Sequence, residues 1–158
     1  MKPPSRRPDH LVVGIDGSGG SRFILQSAAK IATALKLDLK VISCWSRQDF
    51  LFASQFPGGR FPDPDLIESE AAHLVNDTIM RAFGPNRPPG LTVKIRYGHP
   101  AAVLIEESAD ARMLVVGRRG RGGFHGLPIG SVASACAAYA QCPVVIVNDP
   151  EQAGPSLP

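Results

Sequence analysis

No apolar run in this chain is longer than a β-strand requires, whereas a membrane-spanning helix takes about 20 such residues. Transport and membrane-anchor functions through a helical span are therefore excluded. Cysteine is scarce: Cys44, Cys136 and Cys142 show no zinc-finger spacing and cannot all pair. A disulfide scaffold and a thiolate metal site drop out, leaving reduced, structural thiols as the expectation. Excess charge is also small, at +3. It arises in part from Arg6 and Arg7 near the start and from Arg118, Arg119 and Arg121 in one loop. That is too local for a nucleic-acid surface and well placed for a small anion. The opening MKPPSRRPDH lacks the apolar core of a secretory leader. Residues 1–9 are expected to be a flexible basic arm and the protein to be cytoplasmic. Residues 150–158, polar and proline-bearing, are expected to form a flexible tail.

The remaining 10–149 suffice for one domain with a substantial core. Leu11-Val12-Val13-Gly14-Ile15-Asp16 is an apolar run ending in an acid, as in a central strand buried on both faces. Gly17 to Gly20 form a turn in which Ser18 is expected to cap the next helix. That helix carries Ile24, Ala28, Ile31 and Leu35 on one face. Leu39 to Trp45 predict a second strand. Residues 46–62 hold Phe50, Phe52, Phe56 and Phe61 between glycines and prolines, without a clean period, and predict a long loop. Asp63-Pro64 is a helix start, with Asp63 as N-cap and proline at the first helical position. Ile67, Ala71, Leu74, Thr78, Ile79 and Ala82 line its inner face, and Gly84-Pro85 closes it. Leu91, Val93, Ile95 and Tyr97 alternate with polar residues, as in an edge strand. Gly98-His99-Pro100 turns into a short helix with Ala101, Leu104, Ile105 and Ser108 on one face. Strands at Met113–Val116 and Val144–Val147 flank an Ala-rich helix. Alternating strands and helices predict a single doubly wound α/β domain with a five-stranded parallel sheet in the order 3-2-1-4-5.

The stretch from Met113 to Ala135 carries the chemistry. A buried strand stops at Gly117, six of the sixteen glycines lie between 117 and 130, and a helix follows Gly130-Ser131. Glycines let backbone approach a ligand, and the first N–H groups of a helix lack intrahelical partners. This architecture suits a phosphate ester, most simply a nucleotide. In doubly wound sheets such ligands sit beyond the carboxyl ends of the strands, where Asp16, Cys44, Trp45, Gly98 and Gly117 all fall.

Other nucleotide loops are missing. There is no Gly-x4-Gly-Lys-Ser/Thr and no Gly-x-Gly-x2-Gly after the first strand. Asp16 to Ser21 superficially resembles the Ser-Gly-Gly-x-Asp-Ser loop of ATP pyrophosphatases, but Arg22 and Phe23 stand where the acid is required. A receiver domain needs an acid after the third strand, where this chain has Tyr97-Gly98-His99. What is present is Gly117-x2-Gly120-x9-Gly130-Ser131. Together with Val-x-Gly-Ile-Asp-Gly-Ser at 12–18, Gly98-x-Pro100, Leu-Val-Val-Gly at 114–117 and Cys-Pro-Val-Val-Ile-Val at 142–147, it resembles the universal stress protein family, in the subgroup that binds ATP.

The resemblance spans His10 to Asp149 and implies roles position by position. Gly117 and Gly120 would let the loop approach ribose and phosphates. Gly130, Ser131 and Val132 would hold phosphate, the serine also through its hydroxyl. Asp16 would sit near the ribose or phosphates and help hold Mg²⁺. The backbone at Cys44 would face the adenine, and Gly14 would leave room for it. Arg118, Arg119 and Arg121, with Gly122, make the loop more cationic than in many relatives and favour a polyphosphate. Arg112-Met113 departs from the acid the family commonly has there. The implied function is an ATP-binding homodimeric sensor or switch in stress response, with at most slow hydrolysis and no membrane or nucleic-acid partner. Alternatives are a genuine ATPase, for which His125 is the candidate base, and a cyclic-AMP-binding module. His99 also flanks the motif, while His73 has no functional case. Independently, an all-apolar last strand at a sheet edge invites pairing, so a homodimer through residues 143–148 is expected.

Overall fold

The computed structural model describes residues 8–46, 63–120 and 126–152. Its five strands are β1 (His10–Ile15), β2 (Asp38–Trp45), β3 (Leu91–Tyr97), β4 (Met113–Gly117) and β5 (Val144–Val147). The helices between them are α1 (Ser21–Leu35), α2 (Pro64–Phe83), α3 (Pro100–Ser108) and α4 (Ser131–Tyr139). All neighbouring strands are parallel, in the order β3-β2-β1-β4-β5, as the alternation of patterns predicts. β1 lies in the centre, and its Leu11, Val12 and Val13 are fully buried.

Successive strand residues point to opposite faces, so the central strands supply two cores. Leu11, Val13, Val41 and Val115 pack with Ile24, Leu25 and Ala28 of α1 and with Val75 and Ile79 of α2. Val12, Ile42, Leu114 and Val116 pack with Val103 and Leu104 of α3 and with Ala133 and Cys136 of α4. The direction of strand addition reverses between β1 and β4. The ends of these two strands open the crevice where the glycine loop lies.

Several local expectations shift. Ser18 is not the cap of α1; Gly20 precedes the helix and no side chain caps it. Asp16 organises the turn instead, its Oδ1 accepting from the Ser18 N–H at 2.9 Å and the Ser21 hydroxyl at 3.1 Å. A carboxylate at the strand end thus ties the turn to the first residue of the helix. Leu35 is half exposed. The helix ends there in a Schellman arrangement, with Lys36 at φ 56° and N–H bonds from Leu37 to Ala32 and from Lys36 to Thr33. The start of α2 is as expected: Asp63 accepts from the Asp65 N–H at 3.1 Å, with Pro64 next. Its buried residues are Val75, Thr78 and Ile79, so the buried face includes Val75, outside the expected set.

α3 departs most. Ile105 is only half buried, whereas Val103 and Glu107 are buried. Glu107 accepts from Lys40 Nζ at 2.7 Å and Lys94 Nζ at 2.8 Å, and Arg96 bridges it to Glu106. Burial pushes this carboxyl up, but the two lysine hydrogen bonds and their charges overcome it and bring its pKa to about 2. The cluster ties α3 to β2 and β3 on one face of the sheet.

Candidate functional site

The strand ends surround a cavity of about 280 Å³. Seven of the residues singled out from the sequence line it: Gly14, Asp16, Cys44, Gly117, Arg119, Gly120 and Val132. They come from β1, β2, β4, the loop after β4 and the first turn of α4. Gly130 and Ser131 stand behind this wall. Gly130 donates to the Arg118 carbonyl at 2.7 Å, and the Arg118 N–H in turn donates to Val147 at 2.9 Å. A Cβ on Gly130 would lie 3.2 Å from the Arg118 oxygen. A side chain there would have to push the loop backbone away by a few tenths of an ångström, so glycine lets the helix start press closely on the loop. Ser131 is exposed at the beginning of α4, which has no side-chain cap. The leading N–H groups of that helix therefore have no intrahelical partner and present partial positive charge.

The two described arginines diverge. Arg119 lines the main cavity, and its buried Nε has no hydrogen-bond partner. Arg118 borders only a narrow adjoining crevice with Gly20, Val147 and Asp149, a crevice that Arg119 borders as well. Arg121, Gly122, His125 and the aromatic segment 47–62 lie outside the described residues. His99 precedes α3 and is exposed, away from the cavity lining.

Across from Arg119, Gly120 packs against Asp16. A Cβ on Gly120 would stand 2.8 Å from Asp16 Oδ2, so that oxygen faces the loop while Oδ1 holds the turn. Gly117 is equally close-fitted, since a Cβ there would meet Ile24 at 2.5 Å. The other end of the cavity is apolar or neutral, lined by Ile42, Leu74, Pro100 and Leu104. Burial pushes the Cys44 thiol up to about 11, against the opposing pull of Arg96. Cys44 is therefore neutral at physiological pH and is no nucleophile. Cys136 is likewise raised to about 11 by burial. Among the described residues no group of three His, Cys, Asp or Glu side chains could hold a metal on its own. Likewise, no helix among them is long and apolar enough to cross a membrane.

Sequence reasoning missed most of the apolar lining. Trp45 was placed on the strand-end rim, but nothing local indicated that Leu74, on a buried helix face, borders the same cavity. Leu104 and Ile24 were counted simply as core.

A doubly wound α/β domain with a glycine loop and a helix N-terminus at its switch point has the architecture that suits a phosphate-bearing ligand. The sequence places it further. The model of the universal stress protein family matches residues 8–148, and the chain belongs to that family. A universal stress protein of Mycobacterium tuberculosis is 30% identical over 151 residues, covering 94% of this chain and 48% of that protein. One of Mycobacterium bovis is 31% identical over 162 residues, covering 99% and 49%. The chain thus spans about half the length of the curated relatives it matches. Among solved structures, the fold is shared with universal stress protein UspA from Lactobacillus plantarum (TM-score 0.67, 20% identity, 90% of this chain and 99% of that one). It is shared too with a universal stress protein in complex with cAMP (TM-score 0.64, 22% identity, 90% and 98%). A third is the Archaeoglobus fulgidus protein in complex with dAMP (TM-score 0.57, 19% identity, 89% and 98%).

Proposed function

We propose that this chain binds ATP with Mg²⁺ in the cavity between β1 and β4 and acts as a homodimeric nucleotide-dependent switch in stress response. The observation that carries the reading is the pairing of an unsatisfied buried Arg119 Nε with the open N-terminus of α4. A buried guanidinium nitrogen without a partner is costly, and a phosphate oxygen satisfies it. The adenine nucleotides in the two solved family members are consistent with this ligand class.

Arg119 and the N–H groups of Ser131 and Val132 would hold the phosphate chain, with the Ser131 hydroxyl beside them. Gly117 and Gly120 would give ribose and phosphates close access to backbone. The neutral end near Gly14 and Cys44 would take the base. Asp16 fits a Mg²⁺ role because that ion is commonly held by one or two carboxylates together with substrate phosphates and water. The ion would neutralise phosphate charge; Asp16 Oδ2, on the loop side, is the oxygen placed to hold it. Arg118, Arg121 and Gly122 would contribute to the loop's cationic, close-fitting character.

Binding without rapid turnover is the function the residues favour. Among the described residues, the one carboxylate lining the cavity is engaged in the turn after β1, and a water-activating base needs hydrogen-bond reach to the attacking water. The dimer would form through β5. Main-chain groups of Pro143 and Val147 point toward β4, as the bonds from Leu114 and Arg118 require. By strand alternation those of Val144 and Ile146 point to the open edge, where a second copy can pair.

Mass spectrometry of small molecules released on denaturing the purified chain, followed by calorimetric titration with Mg²⁺ and ATP, ADP, AMP or cyclic AMP, tests the reading. ATP is expected to bind most tightly. Absence of affinity for all four defeats it, and preference for cyclic AMP replaces the ligand while keeping the site.

A further inference from the structure

Trp45 and Tyr97 were left without a function by the motif, yet they meet at the neutral end of the cavity. We infer that Trp45 is a specificity-determining residue that supplies a stacking wall for a purine base, and that Tyr97 is the positioning residue that orients it. This deepens the nucleotide reading and rests on it.

The two residues are register partners at the carboxyl ends of β2 and β3. Their rings stand edge to face, with centroids 4.5 Å apart and planes at 64°, a favourable aromatic geometry. The Gly98 N–H donates to the Trp45 carbonyl at 2.9 Å, which pins the end of β2 to the turn that leads into Pro100 and α3. Trp45 borders the cavity. Tyr97 does not line it, and it is 57% exposed on an edge strand. Its contact with the indole gives this exposed aromatic a structural purpose.

Position along the sheet decides which part of a ligand lies here. Two inter-strand spacings, roughly 10 Å, separate the ends of β4 and β2. Arg119, Gly120 and the α4 N-terminus gather at β4, so phosphate belongs there. At β2 the neighbours among the described residues are the neutral Cys44 thiol, Leu74 and Leu104. None carries a charge that would hold an anion, and an indole beside them suits a flat, uncharged heterocycle. A larger ring system gains more from such a wall than a smaller one, which favours purine over pyrimidine.

Trp45 is the only tryptophan of the chain, so its emission reports on this site alone. The full chain is titrated with Mg²⁺ and ATP, CTP or inorganic triphosphate, by fluorescence and calorimetry. The wild type should favour ATP over CTP on the order of tenfold, with a saturable change in emission. Trp45→Ala should lose ATP affinity on the order of tenfold while binding inorganic triphosphate as before. Trp45→Phe should keep most of the preference. Tyr97→Ala should shift the Trp45 emission maximum and reduce the ATP-to-CTP ratio without changing triphosphate affinity. Should Trp45→Ala fail to fold by circular dichroism, Trp45→Phe and Tyr97→Ala decide the matter. Unchanged ATP-to-CTP ratios in the folded variants overturn the inference and leave the nucleotide reading standing. A wild type that binds neither ATP nor triphosphate overturns both.

Discussion

Replacing Glu107 by glutamine removes the anion from a buried cluster that otherwise holds Lys40, Lys94 and Arg96 together. The magnitude follows from linkage. The folded-state pKa of about 2 lies below the ordinary 4.5, a difference of about 2.5 units, and each unit is worth about 1.4 kcal/mol. Since Glu107 is only 9% exposed, solvent screening takes little from this. Ionised Glu107 therefore contributes about 3 kcal/mol. Because the folded pKa is depressed, that contribution is fully present above pH 4.5 and is lost as pH falls toward 2. Urea unfolding of wild type and Glu107→Gln should differ by about 3 kcal/mol at pH 7, by about 1 kcal/mol at pH 3, and by almost nothing at pH 2. A difference independent of pH would refute the reasoning, as would one below about 1 kcal/mol at pH 7, the scale of an exposed pair. The result bears on the site as well, since α3, which carries Glu107, also brings Pro100 and Leu104 to the cavity.

Three further outcomes are expected. Arg119→Gln should weaken ATP binding on the order of tenfold, as expected for a lost charge-assisted hydrogen bond. Arg118→Gln should do much less because it borders the other crevice; equal losses in calorimetry would contradict the separation of the two arginines. Ile146→Pro should yield a monomer by light scattering while leaving the bonds to β4 in place, since the N–H it deletes is directed at the open edge. A variant as dimeric as wild type would rule out pairing through β5. Lys36→Gly should raise stability by about 0.5–1 kcal/mol, because relief of the left-handed conformation at φ 56° exceeds the added entropy of glycine. Denaturant midpoints check this, and a loss of stability would count against it.

Strand order, the start of α2 and the place of the glycine loop were all legible without coordinates. Each depends on local regularities: runs buried on both faces, an Asp-Pro helix start, and glycines between a strand and a helix. The misjudged features depend on partners remote in sequence. Ser18 looked like a cap, but the helix starts after Gly20 and Asp16 holds the turn through the Ser18 N–H and the Ser21 hydroxyl. Glu107 drew no reading from the sequence, because its three cations come from β2 and β3, up to 67 positions away. Arg118 and Arg119 are adjacent and chemically identical, yet only Arg119 borders the cavity, while both border the crevice beside β5.

Periodicity and glycine spacing are properties of short segments, and they suffice for the doubly wound fold, the switch-point location and family membership. Which residues share the cavity, which arginine keeps a buried unsatisfied nitrogen, and that Trp45 meets Tyr97 at the rim emerge from the packed molecule. Those are matters of distance between strands and helices far apart in the chain. Burial, electrostatics and ligand access are set by such distances, and no local pattern encodes them.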